Sequence, residues 1–293
     1  MTASPTTASR TGASPKTASN TAGANARHGA ASGSASAHPP RVQLAAVEKA
    51  FGGVPVLQHI DLDVSAGQTL GLIGPNGAGK TTLFNIMSGF VTADRGTVRL
   101  DGRDISRLGP EARTHLGVVR TFQKSLVFPS MTVRRNVAMA ARAVAGTGYR
   151  WWQAGAALRE SDDRADALLA QAGLSARADT LAADLSYGEQ RMVDLTIALA
   201  QSPRVLLLDE PTAGLAEEEG ARLLALVRQH HAETAVVLVS HDIDIVFGNC
   251  DRVAVLDLGV LIAVDTPEAI RRDARVLAAY LGMPAQTLAE VAA

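Results

Sequence analysis

The stretch Gln68–Thr82, QTLGLIGPNGAGKTT, decides how the rest of the chain is read. Its apolar start reads as a short strand, its middle as a glycine loop and its end as the opening of a helix. The loop fits the pattern G-x-x-x-x-G-K-[ST], with Gly74, Gly79, Lys80 and Thr81 in the fixed places. Backbone N–H groups converge on a phosphate only where no Cβ intrudes, which is the use of the glycines. The helix opening at Lys80 adds unpaired N–H groups and the positive end of its dipole. Lys80 is then placed to reach the β- and γ-phosphates, and the Thr81 hydroxyl to ligate Mg²⁺. A loop of this kind implies a nucleotide and leaves open what the nucleotide drives.

The bulk properties narrow the field. At 293 residues the chain is long enough for one well-buried α/β domain and a smaller attachment. A net charge of −1 gives no electrostatic footprint for nucleic acid, so no nucleic-acid partner is expected. The single cysteine, Cys250, allows no disulfide framework or zinc cluster within the chain and suits a reducing cytoplasm. The most apolar stretch, Met192–Leu208, is broken by Asp194, Gln201, Pro203 and Arg204. It falls short of the roughly 18 uninterrupted apolar residues of a membrane span. A membrane role must therefore come through a partner.

Residues 1–40 are built from Ser, Thr, Ala and Gly, with Arg10, Lys16 and Arg27 and no acidic residue. Too little apolar surface is available there to offset chain entropy, which predicts disorder. An Arg- and Ser-rich, acid-poor start also resembles an organellar transit peptide, but no amphipathic apolar face accompanies it, so a solvated tail is the reading adopted.

From Val42, VQLAAVEKAF reads as a strand, followed by a Gly52–Gly53 turn and a second strand around Val56–Val64. Phe51 precedes the glycine loop. It either stacks on an adenine face or is an ordinary core phenylalanine, and its spacing does not choose. The helix after the loop carries Leu83, Ile86 and Met87 on one face. Gly96–Leu100 reads as a strand with a tight turn at Asp101–Gly102. Gln123 follows a β-like run and stands where a mobile loop can bring it to a metal or an attacking water; the alternative is a surface glutamine. Met131–Asp184 reads as all helical, with Trp151–Trp152 inside it as packing or contact surface.

Leu185–Gln190, LSYGEQ, opens a helix with Met192, Leu195 and Leu199 at helical spacing. Ser186 and Glu189 form a capping box. The same hydroxyl, free N–H groups and Gly188 also make an anion site. Arg204–Glu210, RVLLLDE, is an apolar strand ending in two carboxylates. In parallel sheets ligands lie beyond the carboxyl ends of strands, where Asp209 and Glu210 stand. Asp209 suits a water-held Mg²⁺ and Glu210 suits a base for the attacking water. Glu217–Glu219 read as first-turn capping of the next helix. TAVVLVSHD, Thr234–Asp242, repeats the buried strand and puts His241 at its end, placed to bond a γ-phosphate and hold glutamate and water in line.

Together these segments resemble an ATP-binding cassette ATPase over about Val42–Gly282. The Walker A loop Gly74–Thr81, the Q-loop Gln123, the LSYGEQ signature, the Walker B pair Asp209 and Glu210 and the switch His241 stand in the family's order. The resemblance implies an α/β P-loop core with a mixed sheet flanked by helices, an antiparallel β subdomain, and an inserted helical subdomain at about 124–184. The domain would span 41–282, leaving 283–293 as a C-terminal tail. It implies ATP and Mg²⁺ as cofactors. Gly74, Pro75, Asn76, Gly77, Ala78, Gly79, Lys80, Thr81 and Thr82 would surround the phosphates. Thr81, Gln123 and Asp209 would serve the metal, and Glu210, His241 and Gln123 the hydrolytic step.

Finer features are similar to a cytoplasmic subunit of branched-chain amino-acid importers, a type shared with urea and short-chain amide importers. They are RTFQ at Arg120–Gln123, the SYGEQR signature, HDIDIVFGNCDRVAVLDLG at His241–Gly259 and DTPEAIRRDARVLAAYLG at Asp265–Gly282. In that family two cassettes meet head to tail around two nucleotides. The resemblance implies that Ser186 and Gly188 contact the γ-phosphate on the partner's loop, that Gln123 and the helical insert couple to transmembrane permease subunits, and that Phe51 stacks on adenine. The partners would be those permeases, a second ATPase subunit in a homo- or heterodimer, and indirectly a solute-binding protein. The location would be peripheral, on the cytoplasmic face of the inner membrane. Two departures stand out: Ala216 in AGLA, Ala213–Ala216, where many cassettes carry aspartate, and the tail at 1–40. Rival readings are an ATPase for lipopolysaccharide export, a soluble cassette acting on nucleic acid or ribosomes, and a non-hydrolysing regulatory cassette. RTFQ and SYGEQR argue against the first, and the absence of basic excess and heptads against the second. Intact Lys80, Asp209, Glu210 and His241 argue against the third.

Overall fold

The computed structural model describes residues 40–122, 127–144 and 154–281. Gln123, Trp151–Trp152, residues 1–39 of the expected tail and residues 283–293 lie outside the described residues. Pro40 is the first residue of β1 (Pro40–Phe51), so that strand opens two residues ahead of the expected Val42 and one residue inside the expected tail.

β1 pairs antiparallel with β2 (Val54–Ser65) across Gly52 and Gly53, both at positive φ as a two-residue hairpin turn demands. β4 (Arg95–Leu100) pairs with the other edge of β1, and β5 (Arg103–Asp104) returns through Asp101 and Gly102, again both at positive φ. The result is a four-stranded antiparallel sheet ordered β2-β1-β4-β5.

A second sheet is ordered β10-β9-β3-β8-β7-β6. In it β3 (Thr69–Ile73), β6 (Val118–Arg120), β7 (Val205–Asp209), β8 (Ala235–Val239) and β9 (Arg252–Asp257) are parallel, and only β10 (Val260–Asp265) runs the other way. Successive strand residues point to opposite faces, so the apolar runs feed two cores. On one face Leu206, Leu208, Val236, Leu238, Val253 and Val255 meet helices. On the other, Val205, Leu207, Val237 and Leu256 join the antiparallel sheet and the buried side of α1 (Lys80–Ser88). That side is made by Leu83, Phe84, Ile86 and Met87, as the helical spacing predicts. Gly71 needs its missing side chain: a Cβ there would lie 2.2 Å from Val246 Cγ1 of α7 (Ile243–Asn249).

Arg113, on α2 (Pro110–His115), is fully buried and serves the far end of α1. Its Nη1 donates to the carbonyls of Ile86 at 2.5 Å and Met87 at 2.9 Å, and its Nε to that of Leu108 at 2.9 Å. The last carbonyls of a helix lack intrahelical partners, and the guanidinium supplies one. Burial lowers the Arg113 pKa to about 10, which still leaves it charged at neutral pH.

The helical insert holds α3 (Val133–Val144) and α4 (Ala154–Gln171), whose Val137, Ala138, Ala165 and Leu169 are wholly buried in the core that α5 (Tyr187–Ala200) also joins. The expectation of an all-helical 131–184 is corrected after Gln171. Gly173, at φ +70, ends the helix, and short 3₁₀ turns follow with an isolated antiparallel bridge between Thr132 and Leu181. Backbone N–H groups of Val133 and Arg134 are taken by the carbonyls of Thr180 and Ala178, a long-range pairing that local composition does not encode. The remaining helices are α6 (Glu217–Gln229), α8 (Pro267–Arg272) and α9 (Ala274–Leu281). Among the described residues, no helix is long and apolar enough to cross a membrane.

Candidate functional site

Five parallel strands end along one edge, with β3 inserted between β8 and β9. β3 leads into the 74–79 loop, β8 into Ser240 and His241, β7 into Glu210, and β6 into Thr121 and Phe122. Loops beyond such strand ends are where ligands of open α/β sheets bind.

Packing dictates the loop's glycines. A Cβ on Gly74 would lie 2.0 Å from the Leu256 carbonyl oxygen, and one on Gly79 2.9 Å from that of Val56. Gly79, at φ +104, is the N-cap of α1 and offers no side chain to it. The first bond inside the helix runs from the Leu83 N–H to the Gly79 carbonyl at 2.9 Å, leaving the N–H groups of Lys80, Thr81 and Thr82 as first-turn donors. Asn76, Gly77 and Thr81 are exposed. Ala78 is different: its side chain is buried, and its N–H donates to the Pro75 carbonyl at 3.2 Å, so it holds the loop's shape. Lys80 folds back over the loop, its Nζ donating to the carbonyls of Gly74 at 2.6 Å and Pro75 at 2.9 Å. Burial lowers its pKa, and the negative charge of Glu210 works the other way.

β7 ends at Asp209, and Glu210 steps out of the strand into the left-handed region at φ +49, which corrects the expectation of two carboxylates on one extended end. A non-glycine residue held there costs about 1–3 kcal/mol, and such strain collects at functional sites. The Glu210 N–H is held by the Val239 carbonyl at 2.9 Å, and Oε2 lies 2.8 Å from His241 Nδ1. With Nδ1 protonated the imidazole donates to the carboxylate and turns Nε2 outward. The Glu210 side chain is 16% exposed and that of His241 78%, so the pair joins a shielded carboxylate to an open ring.

Asp209 accepts from Arg120 Nη2 at 2.8 Å through Oδ2. The sequence reading did not assign Arg120 a role. Its only signals were the RTFQ run and its position at the end of an apolar strand. Phe51, 48% exposed with Lys49 Nζ 5.2 Å from its ring centroid, is no core residue, which removes one of its two readings.

Ser186 caps α5 in a closed box. Its Oγ accepts from the Glu189 N–H at 3.2 Å, and Glu189 Oε2 accepts from the Ser186 N–H at 2.9 Å. That backbone bond, helped by Arg177, holds the Glu189 carboxyl below the usual range. Gly188 faces its own chain: a Cβ there would lie 2.2 Å from Glu219 Oε1, whose partner oxygen accepts from the Ala216 N–H at 3.1 Å. Sequence reading assigned Glu219 to capping, which the Ala216 bond bears out, but not its contact with the signature glycine. Tyr187 Oη donates to the Ala213 carbonyl at 3.1 Å and accepts from Arg191 Nε at 3.1 Å, while Arg191 Nη1 donates to the Phe122 carbonyl at 2.8 Å. The signature is thus tied to the segment after Glu210 and to the strand exit that leads to Gln123.

Among the described residues, no cluster of three or more His, Cys, Asp or Glu side chains would hold a metal unaided. Mg²⁺ bound with a nucleotide needs only one or two protein oxygens, the rest being phosphate and water. The exposed Thr81 and the Asp209 carboxylate, one of whose oxygens accepts no hydrogen bond among the described residues, fit that donor set.

A family model described as ABC transporter matches residues 57–213, and a second, described as Branched-chain amino acid ATP-binding cassette transporter, matches residues 260–282. The chain is 37% identical to the high-affinity branched-chain amino acid transport ATP-binding protein LivG of Escherichia coli strain K12, covering 79% of this chain and 94% of that one. Its counterpart BraF of Pseudomonas aeruginosa is 35% identical, with 83% and 98% covered. Among solved structures, the ADP conformation of MJ1267, an ATP-binding cassette of an ABC transporter, superposes with a TM-score of 0.72 at 28% identity, covering 83% of this chain and 99% of that one.

Proposed function

The chain belongs to the ABC transporter family of ATP-binding cassettes, and from that premise we propose that it is the ATP-hydrolysing subunit of an importer for branched-chain amino acids or chemically related small solutes. The observation that carries the hydrolytic part is the Glu210–His241 contact, 2.8 Å, at the ends of neighbouring strands. The match of residues 260–282 to the branched-chain cassette model supports the importer over lipopolysaccharide export.

The phosphates of ATP rest on the N–H groups of Lys80, Thr81 and Thr82, with Gly74, Pro75, Asn76, Gly77 and Gly79 as the surrounding wall and Ala78 as its brace. Lys80 exchanges two neutral carbonyls for charged phosphate oxygens, which are stronger acceptors. Phe51 offers its exposed face to adenine. Glu210 accepts a proton from the attacking water, and His241 steadies that carboxylate while its outward nitrogen bonds the γ-phosphate. Thr81, Asp209 and Gln123 would hold Mg²⁺, whose charge when bound would offset that of the phosphates. Ser186 and Gly188 act on the nucleotide held by a partner cassette, so a dimer is the working unit. That dimer couples to transmembrane permeases through the helical insert and Gln123, on the cytoplasmic face of the inner membrane.

Gentle-detergent capture of the tagged protein from its native membrane, with partners identified by mass, tests this reading. Two permeases and a solute-binding protein that binds leucine, isoleucine or valine are expected. Recovery with lipid-export components or ribosomes would overturn the importer and leave the ATPase site standing.

A further inference from the structure

Arg120 stands at the end of β6, one strand along from Asp209, and is held through both terminal nitrogens of its guanidinium, while its buried Nε has no hydrogen-bond partner among the described residues. Nη1 donates to Asn85 Oδ1 at 2.6 Å and reaches Ser88 Oγ at 3.3 Å, both on α1, while Nη2 donates to Asp209 Oδ2 at 2.8 Å. Its guanidinium carbon lies 5.0 Å from the ring centroid of Phe84, 5.3 Å from that of Phe122 and 5.8 Å from that of Phe90. Phe90 and Phe122 themselves meet edge to face at 5.7 Å. Guanidinium planes suit both tasks, since they stack on aromatic faces while their fixed fork directs hydrogen bonds. The side chain of Arg120 is 10% exposed and that of Asp209 16%, so water screens the pair weakly.

We propose that Arg120 is a positioning residue for the metal site: it bolts the Asp209 carboxylate to the helix that carries Lys80 and Thr81. Of the residues assigned to Mg²⁺, Thr81 comes from α1 and Asp209 from β7. Arg120 bonds both elements at once, through Asn85 and Ser88 on one arm and Asp209 on the other. It engages one carboxylate oxygen and leaves the other for the metal's water shell. A lysine keeps the charge but is a single ammonium without a planar fork, and so cannot direct one arm to each element. The geometry therefore matters more than the positive charge, which by itself repels a cation. This inference rests on the reading of Asp209 as the metal-side carboxylate.

The test is Mn²⁺ titration of the ATP-loaded full chain, followed by electron paramagnetic resonance, in Arg120→Lys, Asn85→Ala and Asp209→Asn. Binding of a fluorescent ATP analogue in EDTA reports the loop itself, and the melting temperature reports the fold. Arg120→Lys is expected to raise the half-saturating Mn²⁺ concentration about tenfold and Asn85→Ala about threefold, with metal-free nucleotide affinity within twofold of wild type. Turnover lost in Arg120→Lys should return in part as Mg²⁺ is raised, which a merely structural lesion would not do. If Arg120→Lys fails to fold, Asn85→Ala decides by the same readout. Mn²⁺ affinity unchanged or tightened in the folded variants, while Asp209→Asn weakens it, overturns the role of Arg120 alone. Unchanged affinity in Asp209→Asn overturns the reading of Asp209 beneath it.

Discussion

The helices α1 and α5 each carry a glycine at the cap or in the first turn, and they begin in opposite states. α1 starts from Gly79 with no side-chain cap and no acidic residue in its first turn, so its N–H donors and its dipole face outward unopposed. α5 starts from Ser186 inside a complete capping box, with Glu189 in its first turn and the carboxylate of Glu219 pressed against Gly188. An open helix start is an anion site the chain holds ready for its own ligand. A closed one is stable by itself and meets an anion only at the expense of its internal acids. The difference separates the glycine loop, whose helix start is open, from the signature, which is closed on its own chain and for which we propose a partner's phosphate.

The sharpest way to break this contrast is at the open end. Glu210→Gln should keep nucleotide binding and lower turnover by about a thousandfold, since a positioned general base contributes on the order of 10²–10⁴. Normal hydrolysis in that variant would remove Glu210 from its role. Lys80→Ala should weaken ATP binding by about a hundredfold, measured by equilibrium dialysis, because a charge-assisted phosphate contact of about 2–3 kcal/mol is lost. Equal affinity would mean that the N–H groups of α1 suffice alone. At the other end of the same helix, Arg113→Met should lower unfolding free energy by about 2 kcal/mol, as buried carbonyls at Ile86, Met87 and Leu108 lose their donor. A urea midpoint matching wild type would show that the C-terminal end of α1 needs no guanidinium.

At the closed start the effects are smaller. Gly188→Ala and Glu219→Ala should be coupled by about 1.5 kcal/mol in a double-mutant cycle, since the new methyl is tolerated only where the carboxylate is gone. Additive values would break the contact. Ser186→Ala should cost about 1 kcal/mol at neutral pH. The Glu189 carboxyl lies below its unfolded value, so its contribution is present above about pH 4.3 and fades as pH falls through the folded pKa. The gap between wild type and Glu189→Ala, followed by urea unfolding from pH 7 down to pH 3, should therefore hold steady and then narrow. A gap that widens in acid would contradict the bond from the Ser186 N–H.

How much of this was legible varied with the range of the forces. The hairpin turns at Gly52–Gly53 and Asp101–Gly102, the helix opening at Lys80 and the capping box at Ser186 all depend on backbone within a few residues, and each appears where the sequence reading put it. The apolar runs of β7 and β8 announced buried strands, because side chains that alternate between two dry faces must all be apolar. The end of the helical insert was read less well: 172–184 is alanine-rich yet pairs its backbone across to α3, a contact that helix propensity does not register. Glu210 was assigned its chemistry but not its left-handed backbone, which the Val239 carbonyl on the neighbouring strand enforces.

The residue types at the site, their motifs and the two-faced apolar strands thus belong to the sequence by itself, since each follows from the covalent chain over one or two turns. Which strand lies beside which was decided only in three dimensions. The order β9-β3-β8-β7-β6 brings His241 to Glu210 across 31 positions and Arg120 to Asp209 across 89. All five strands are apolar enough to occupy the middle of the sheet, so hydrophobicity does not rank their neighbours. The neighbours are chosen by packing two cores at once, and the charged pairs at the strand ends follow from that choice.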